Sequence, residues 1–114
     1  MSEAKMRILC LCENGNSRSV ALAYLLKRHY YADALAAGVA AASEETLNML
    51  CGWAEHIIVT DEKLMATVPK GFEGKLHLWN VGTDIWFRRP KRSLTRQLYT
   101  YMEQNATWLP SRIR

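Results

Sequence analysis

No apolar run in the 114 residues approaches the roughly 20 needed to span a bilayer, so no membrane segment or membrane partner is expected. The opening Met1-Ser2-Glu3-Ala4-Lys5 lacks the charged-then-apolar layout of a secretion signal. Cysteine is scarce and odd in number. Three thiols in a small chain without such a signal argue against a disulfide framework and for reduced side chains, which makes the cytoplasm the expected compartment. Histidine is equally thin: His29, His56 and His77 show no metal-ligand spacing. Internal repeats and low-complexity linkers are missing as well. What remains is one domain over residues 1–114, a length that holds one core and is too short for two.

What is present is ordinary in amount and uneven in distribution. Hydrophobic residues make up 49% and charged residues 23%, the balance of a packed globular chain. The net charge of +4 is modest, but Arg88, Arg89, Lys91, Arg92 and Arg96 crowd into one short stretch. An acidic partner is expected at this patch, with nucleic acid a weaker alternative and a solvated charged face the bland one.

The pattern along the chain alternates strand and helix. Residues 6–11 (Met-Arg-Ile-Leu-Cys-Leu) read as a short buried strand. Residues 20–31, built largely from Ala and Leu with charge only at Lys27 and Arg28, predict a heavily buried helix. Residues 33–39 are weakly strand-like, since alanine pairs poorly and only position argues for a strand. Ser43 with Glu44 and Glu45 is a helix start, with Gly52 the expected stop. Residues 55–60 are the clearest strand, and Asp61 reads as the cap of a short helix after it. Residues 75–81 alternate as a fourth strand, suited to an edge. Pro90 begins a closing amphipathic helix marked by Leu94, Leu98, Tyr101 and Met102. Such an order implies right-handed crossovers and a four-stranded parallel sheet covered on both faces, a three-layer α/β/α sandwich.

The chemistry concentrates in Cys12-Glu13-Asn14-Gly15-Asn16-Ser17-Arg18-Ser19. A thiolate attacks a phosphate monoester well if the sulfur is ionised and the non-bridging oxygens are held. A loop leaving a strand and entering a helix turns its N–H groups inward, and the helix start adds about half a positive charge. That field also favours the ionised form of a cysteine placed in it. Arg18, six residues on, can fork onto two phosphate oxygens, a planar contact that lysine does not make. Ser19 can cap the helix or donate to the Cys12 sulfur. Asn14, Gly15 and Asn16 are types that tolerate positive φ, which tight curling needs.

These residues resemble the signature of the low-molecular-weight protein tyrosine phosphatase family: Cys, five residues, Arg, then Ser or Thr, directly after the first strand. The resemblance implies a flavodoxin-like fold with sheet order 2-1-3-4 and the first strand central, a cysteinyl-phosphate intermediate, a phosphotyrosine protein as substrate and no metal or organic cofactor. It also implies an aspartate general acid beyond the last strand. The matching stretch here is Asp84-Ile85-Trp86-Phe87, in which Asp84 would protonate the leaving oxygen and Trp86 would stack on an aromatic substrate. The likeness covers about residues 7–104. Three positions depart from the pattern: Gly15 stands where the family has asparagine, Glu13 puts a carboxylate beside a site for a dianion, and Ile85 replaces proline. Glu13 would select a cationic substrate or pair with Arg88.

Simpler readings stand beside these. Cys12 alone would be a small buried hydrophobe. Cys10 reads as core, or as a thiol that traps oxidised Cys12, and Cys51 as helix packing. Asp84 could be only a turn residue after Gly82-Thr83. Two rival functions share the loop: an arsenate-reductase-like redox enzyme, which needs further relay cysteines, and a phosphate-binding module without turnover.

Overall fold

The computed structural model describes residues 5–14, 18–81 and 91–113. Four strands, β1 (Met6–Cys12), β2 (Ala32–Gly38), β3 (His56–Val59) and β4 (Leu76–Leu78), form one sheet in the order β2-β1-β3-β4, every pair parallel. Three helices cover it: α1 (Arg18–His29), α2 (Glu44–Trp53) and α3 (Lys91–Gln104), with a 3₁₀ segment at Glu62–Thr67 and a shorter one at Glu73–Lys75. The expected flavodoxin-like sandwich is the observed fold.

The two faces follow from the period of two along a strand. In β1, Ile8 and Cys10 face a core built with Leu22 and Leu26 of α1 and Leu94, Leu98 and Met102 of α3, whereas Leu9 and Leu11 face Leu47 and Cys51 of α2 and Leu64 of the 3₁₀ segment. Ile57 and Val59 join the second core and Ile58 the first. A strand buried on both faces reads as a continuous apolar run, which is how β1 appears in the sequence.

Local signals explain most boundaries. Ser43 caps α2, its hydroxyl oxygen accepting from Thr46 N at 3.1 Å. Asp61 caps the 3₁₀ segment by accepting from Lys63 N at 3.0 Å. The α2 helix runs one residue past the expected stop: Gly52 lies in its last turn, and the ammonium of Lys75 donates to the terminal carbonyls of Cys51 and Ala54 at 3.0 and 2.6 Å. A cation at a helix C-terminus satisfies orphan carbonyls and suits the dipole, so a remote lysine does what glycine was expected to do. Among the described residues, the glycine at positive φ is Gly71, at φ 103°.

Two other expectations need correction. Helix α1 is not enclosed all round: Val20 and Tyr24 are 47% and 58% exposed, forming with Lys27 and Arg28 a stripe opposite the buried face. Strand β4 pairs over only three residues, although Trp79 N and Val81 N still donate to Val59 O and Thr60 O. Pro90 lies outside the described residues. Among the described residues, no helix is long and apolar enough to cross a membrane.

A segment that the sequence did not announce follows α3. Residues 105–113 turn back along the sheet, and Tyr31 N donates to Ser111 O and Ile113 N to His29 O around an isolated antiparallel bridge between Tyr30 and Arg112.

Leu98→Ala, which empties a fully buried position between α3 and the sheet, is expected to lower the unfolding free energy by roughly 2–5 kcal/mol in a urea titration. Met49→Ala, on the exposed face of α2, is expected to cost less than about 0.5 kcal/mol.

Candidate functional site

The carboxyl ends of β1, β2 and β3 meet around Cys12. Cys12 is the last residue of β1 and pairs in register with Gly38 at the end of β2. The turn after β2 is held against it: Val39 N donates to Cys12 O at 2.9 Å, and Ala40 N to Glu13 O at 2.8 Å. On the other side, Thr60 donates twice to Leu11 O, through its amide at 3.1 Å and its hydroxyl at 2.8 Å. Val81 N donates to Thr60 O, bringing the end of β4 to the same region before residues 82–90.

Cys12 shares the α1 face of β1 with Cys10, so its side chain meets the first turn of α1. There Cys12 Sγ stands 3.0 Å from Ser19 Oγ, in hydrogen-bonding contact, with both residues fully buried. Of the two roles open to Ser19, the structure holds the contact with sulfur.

Arg18 is fully buried as well, and its guanidinium NH1 lies 3.5 Å from Asp61 Oδ2. Sequence reasoning took Asp61 for a cap alone. It is a cap and also the carboxylate that faces Arg18. The signal available was its position: the residue after β3, beside the central strand, is where this fold collects its functional side chains. A buried guanidinium without a carboxylate would be far too costly in a low-dielectric surrounding, so Asp61 is part of what lets Arg18 occupy the interior.

The remaining site residues divide into two groups. Glu13 and Asn14 are exposed, and of the run of types that tolerate positive φ the described member, Asn14, is not at positive φ. Gly15, Asn16 and Ser17, together with Asp84, Ile85, Trp86, Arg88 and Arg89, lie outside the described residues. Of the basic stretch, Arg92 and Arg96 are on the exposed side of α3.

The other cysteines are packed as expected. Burial, with the neighbouring Cys12, pushes the Cys10 thiol far above its ordinary value and keeps it protonated. Burial also raises Cys51, which sits in the core on the α2 face of the sheet, across from Cys10 and Cys12. None of the three is in a disulfide. Among the described residues, no group of three or more His, Cys, Asp or Glu side chains could hold a metal ion.

An open groove of about 680 Å³ abuts this region between Val39 and Ala42, the first half of α2 (Glu44, Leu47, Asn48) and the stretch up to Lys70. Its wall residue Val39 is the one bonded to Cys12 O. Comparison of the chain with protein-family models, with curated proteins and with solved structures gives no match.

Asp61→Asn keeps an oxygen for Lys63 N but withdraws the charge facing Arg18. It is expected to destabilise the fold by about 3–5 kcal/mol, measured by chemical denaturation. In an Arg18→Met background the same change is expected to cost under about 1 kcal/mol, because the Asp61 charge then faces no guanidinium.

Proposed function

We propose that the chain is a cysteine-dependent phosphomonoester hydrolase of the low-molecular-weight protein tyrosine phosphatase type. The observation that carries this reading is the 3.0 Å contact between Cys12 Sγ and Ser19 Oγ at the junction of β1 and α1, with Arg18 one residue before Ser19. The contact sets the sulfur beside the first turn of α1, whose outward N–H groups and dipole favour a bound anion.

In this reading the Cys12 thiolate attacks phosphorus, and the ester oxygen departs with a proton from Asp84, leaving a cysteinyl-phosphate. The Asp84 carboxylate then takes a proton from water, whose oxygen attacks phosphorus, releasing inorganic phosphate and restoring the thiolate. Arg18 grips two phosphate oxygens as charge shifts onto them. Asp61 acts as a positioning residue: a guanidinium plane held in advance loses less freedom when its fork engages an oxyanion. Trp86 stacks on the substrate ring, and Glu13 at the exposed rim discriminates among substrates by charge. The chemistry needs no metal or organic cofactor.

One observation favours a second reading, a phosphate-binding module without turnover: Cys12 and Arg18 are both fully enclosed. The redox alternative is weakened by the protonated state of Cys10 and by the location of Cys51 beyond the sheet.

Wild type is expected to hydrolyse p-nitrophenyl phosphate and a phosphotyrosine peptide. Cys12→Ser should abolish turnover, Asp84→Asn should lower kcat on the order of 100-fold, and Ser19→Ala should lower it roughly 10-fold. Binding of inorganic phosphate by a wild type that turns over neither substrate would select the second reading.

A further inference from the structure

A second cluster of titratable side chains lies on the same face of the sheet, towards its amino end. His56 opens β3 and His77 is the middle residue of β4. Because His77 pairs in register with Ile58, His56 is its diagonal neighbour on one face, and His56 Nδ1 stands 2.9 Å from His77 Nε2. Trp108, from the segment after α3, covers both rings: its centroid is 4.0 Å from that of His77 with planes 14° apart, and 4.4 Å from that of His56 with planes 32° apart. Asn105 holds Trp108 in place, receiving its indole N–H at 2.8 Å. From there the chain continues into the pairing of Ser111 and Ile113 with Tyr31 and His29.

We infer that the His56–His77–Trp108 stack is a proton-operated latch, which holds segment 105–113 closed on the sheet near neutral pH and releases it in mild acid. One nitrogen of the facing pair must present a proton and the other a lone pair. Neutral rings satisfy this; one proton keeps the hydrogen bond, the imidazolium donating, but puts a charge where burial disfavours it. A second proton leaves two donors and two positive charges facing each other with no acceptor between them. Trp108 does not prevent this, since its ring attracts one cation but does nothing for the repulsion between two.

The charges around the pair fix the direction. Burial holds both imidazoles below their ordinary value of 6.5; Glu55 partly offsets this for His56, whereas His56 adds to it for His77. The Glu55 carboxylate is itself shared with Arg7 of β1, accepting from its amide at 3.1 Å and facing its guanidinium at 3.6 Å. Lys75, ahead of β4, is turned to the α2 carbonyls, and from α3 the Tyr101 hydroxyl donates to Asn80 O. A histidine whose folded value is depressed binds fewer protons folded than unfolded. The latch's contribution is therefore complete above about 6.5 and is lost as the pH falls below it.

The test is amide hydrogen exchange at Tyr31 and Ile113, corrected for intrinsic rates, between pH 7.5 and 5. Protection in the wild type should fall at least 10-fold at these two amides while Leu9 and Leu11 in β1 hold theirs. The double variant His56→Gln, His77→Gln should show no such pH step. A flat wild-type profile, or the same fall in the double variant, overturns the latch. NMR titration of the wild-type ring protons is independent of any variant: two separate steps, both below 6.5, are required, and a single shared step at 6.5 overturns it too.

Discussion

The carboxyl end of the sheet is organised by one constraint: β1 is buried on both faces. A strand with no solvent face must send alternate side chains into two separate cores, and its register against β2 and β3 is then fixed, because a slip of one residue would exchange the cores. Cys12 inherits its direction from this. Two residues beyond Cys10, it must face α1, and the first turn of α1 is where Ser19 lies. The placement of the sulfur is thus a consequence of packing far down the strand, and the loop has only to connect the two elements.

Arg18 and Asp61 add a second requirement at the same place. A buried ion pair contributes little net stability, since desolvation offsets most of the attraction, but either partner alone is strongly disfavoured. The pair therefore works as a condition on geometry. It ties the start of α1 to the end of β3, which are remote in sequence. Under the proposed function this is the tie that keeps the phosphate-gripping plane in position.

Much of this was legible in the residues. β-branching marks β3, the Ser43 capping pattern marks α2, and the Cys12 to Ser19 spacing identifies the strand-to-helix junction that the structure contains. The parts that were not legible are all non-local. Asp61 looks like a cap because its cap partner is two residues away and its ion-pair partner is 43 positions earlier. The contact of His56 with His77 depends on β4 lying beside β3, and Trp108 reaches both only because the chain reverses after α3. Lys75 replaced Gly52 at the end of α2 for the same reason: a helix terminus can be satisfied from anywhere that folding brings near.

Strand β2 shows what a poor local propensity can secure. Its inward positions Ala32, Ala34 and Ala36 have little to recommend them as strand residues, yet each presents a single methyl group to α1. Small side chains there let the helix lie close against the sheet. A larger residue would lift α1 as a rigid body, and its first turn would rise with it. The tolerance is narrow, because a hydrogen bond of 3.0 Å to sulfur does not survive displacement by the width of a methyl group. The alanines of β2 therefore act as spacers for the depth at which Ser19 meets Cys12.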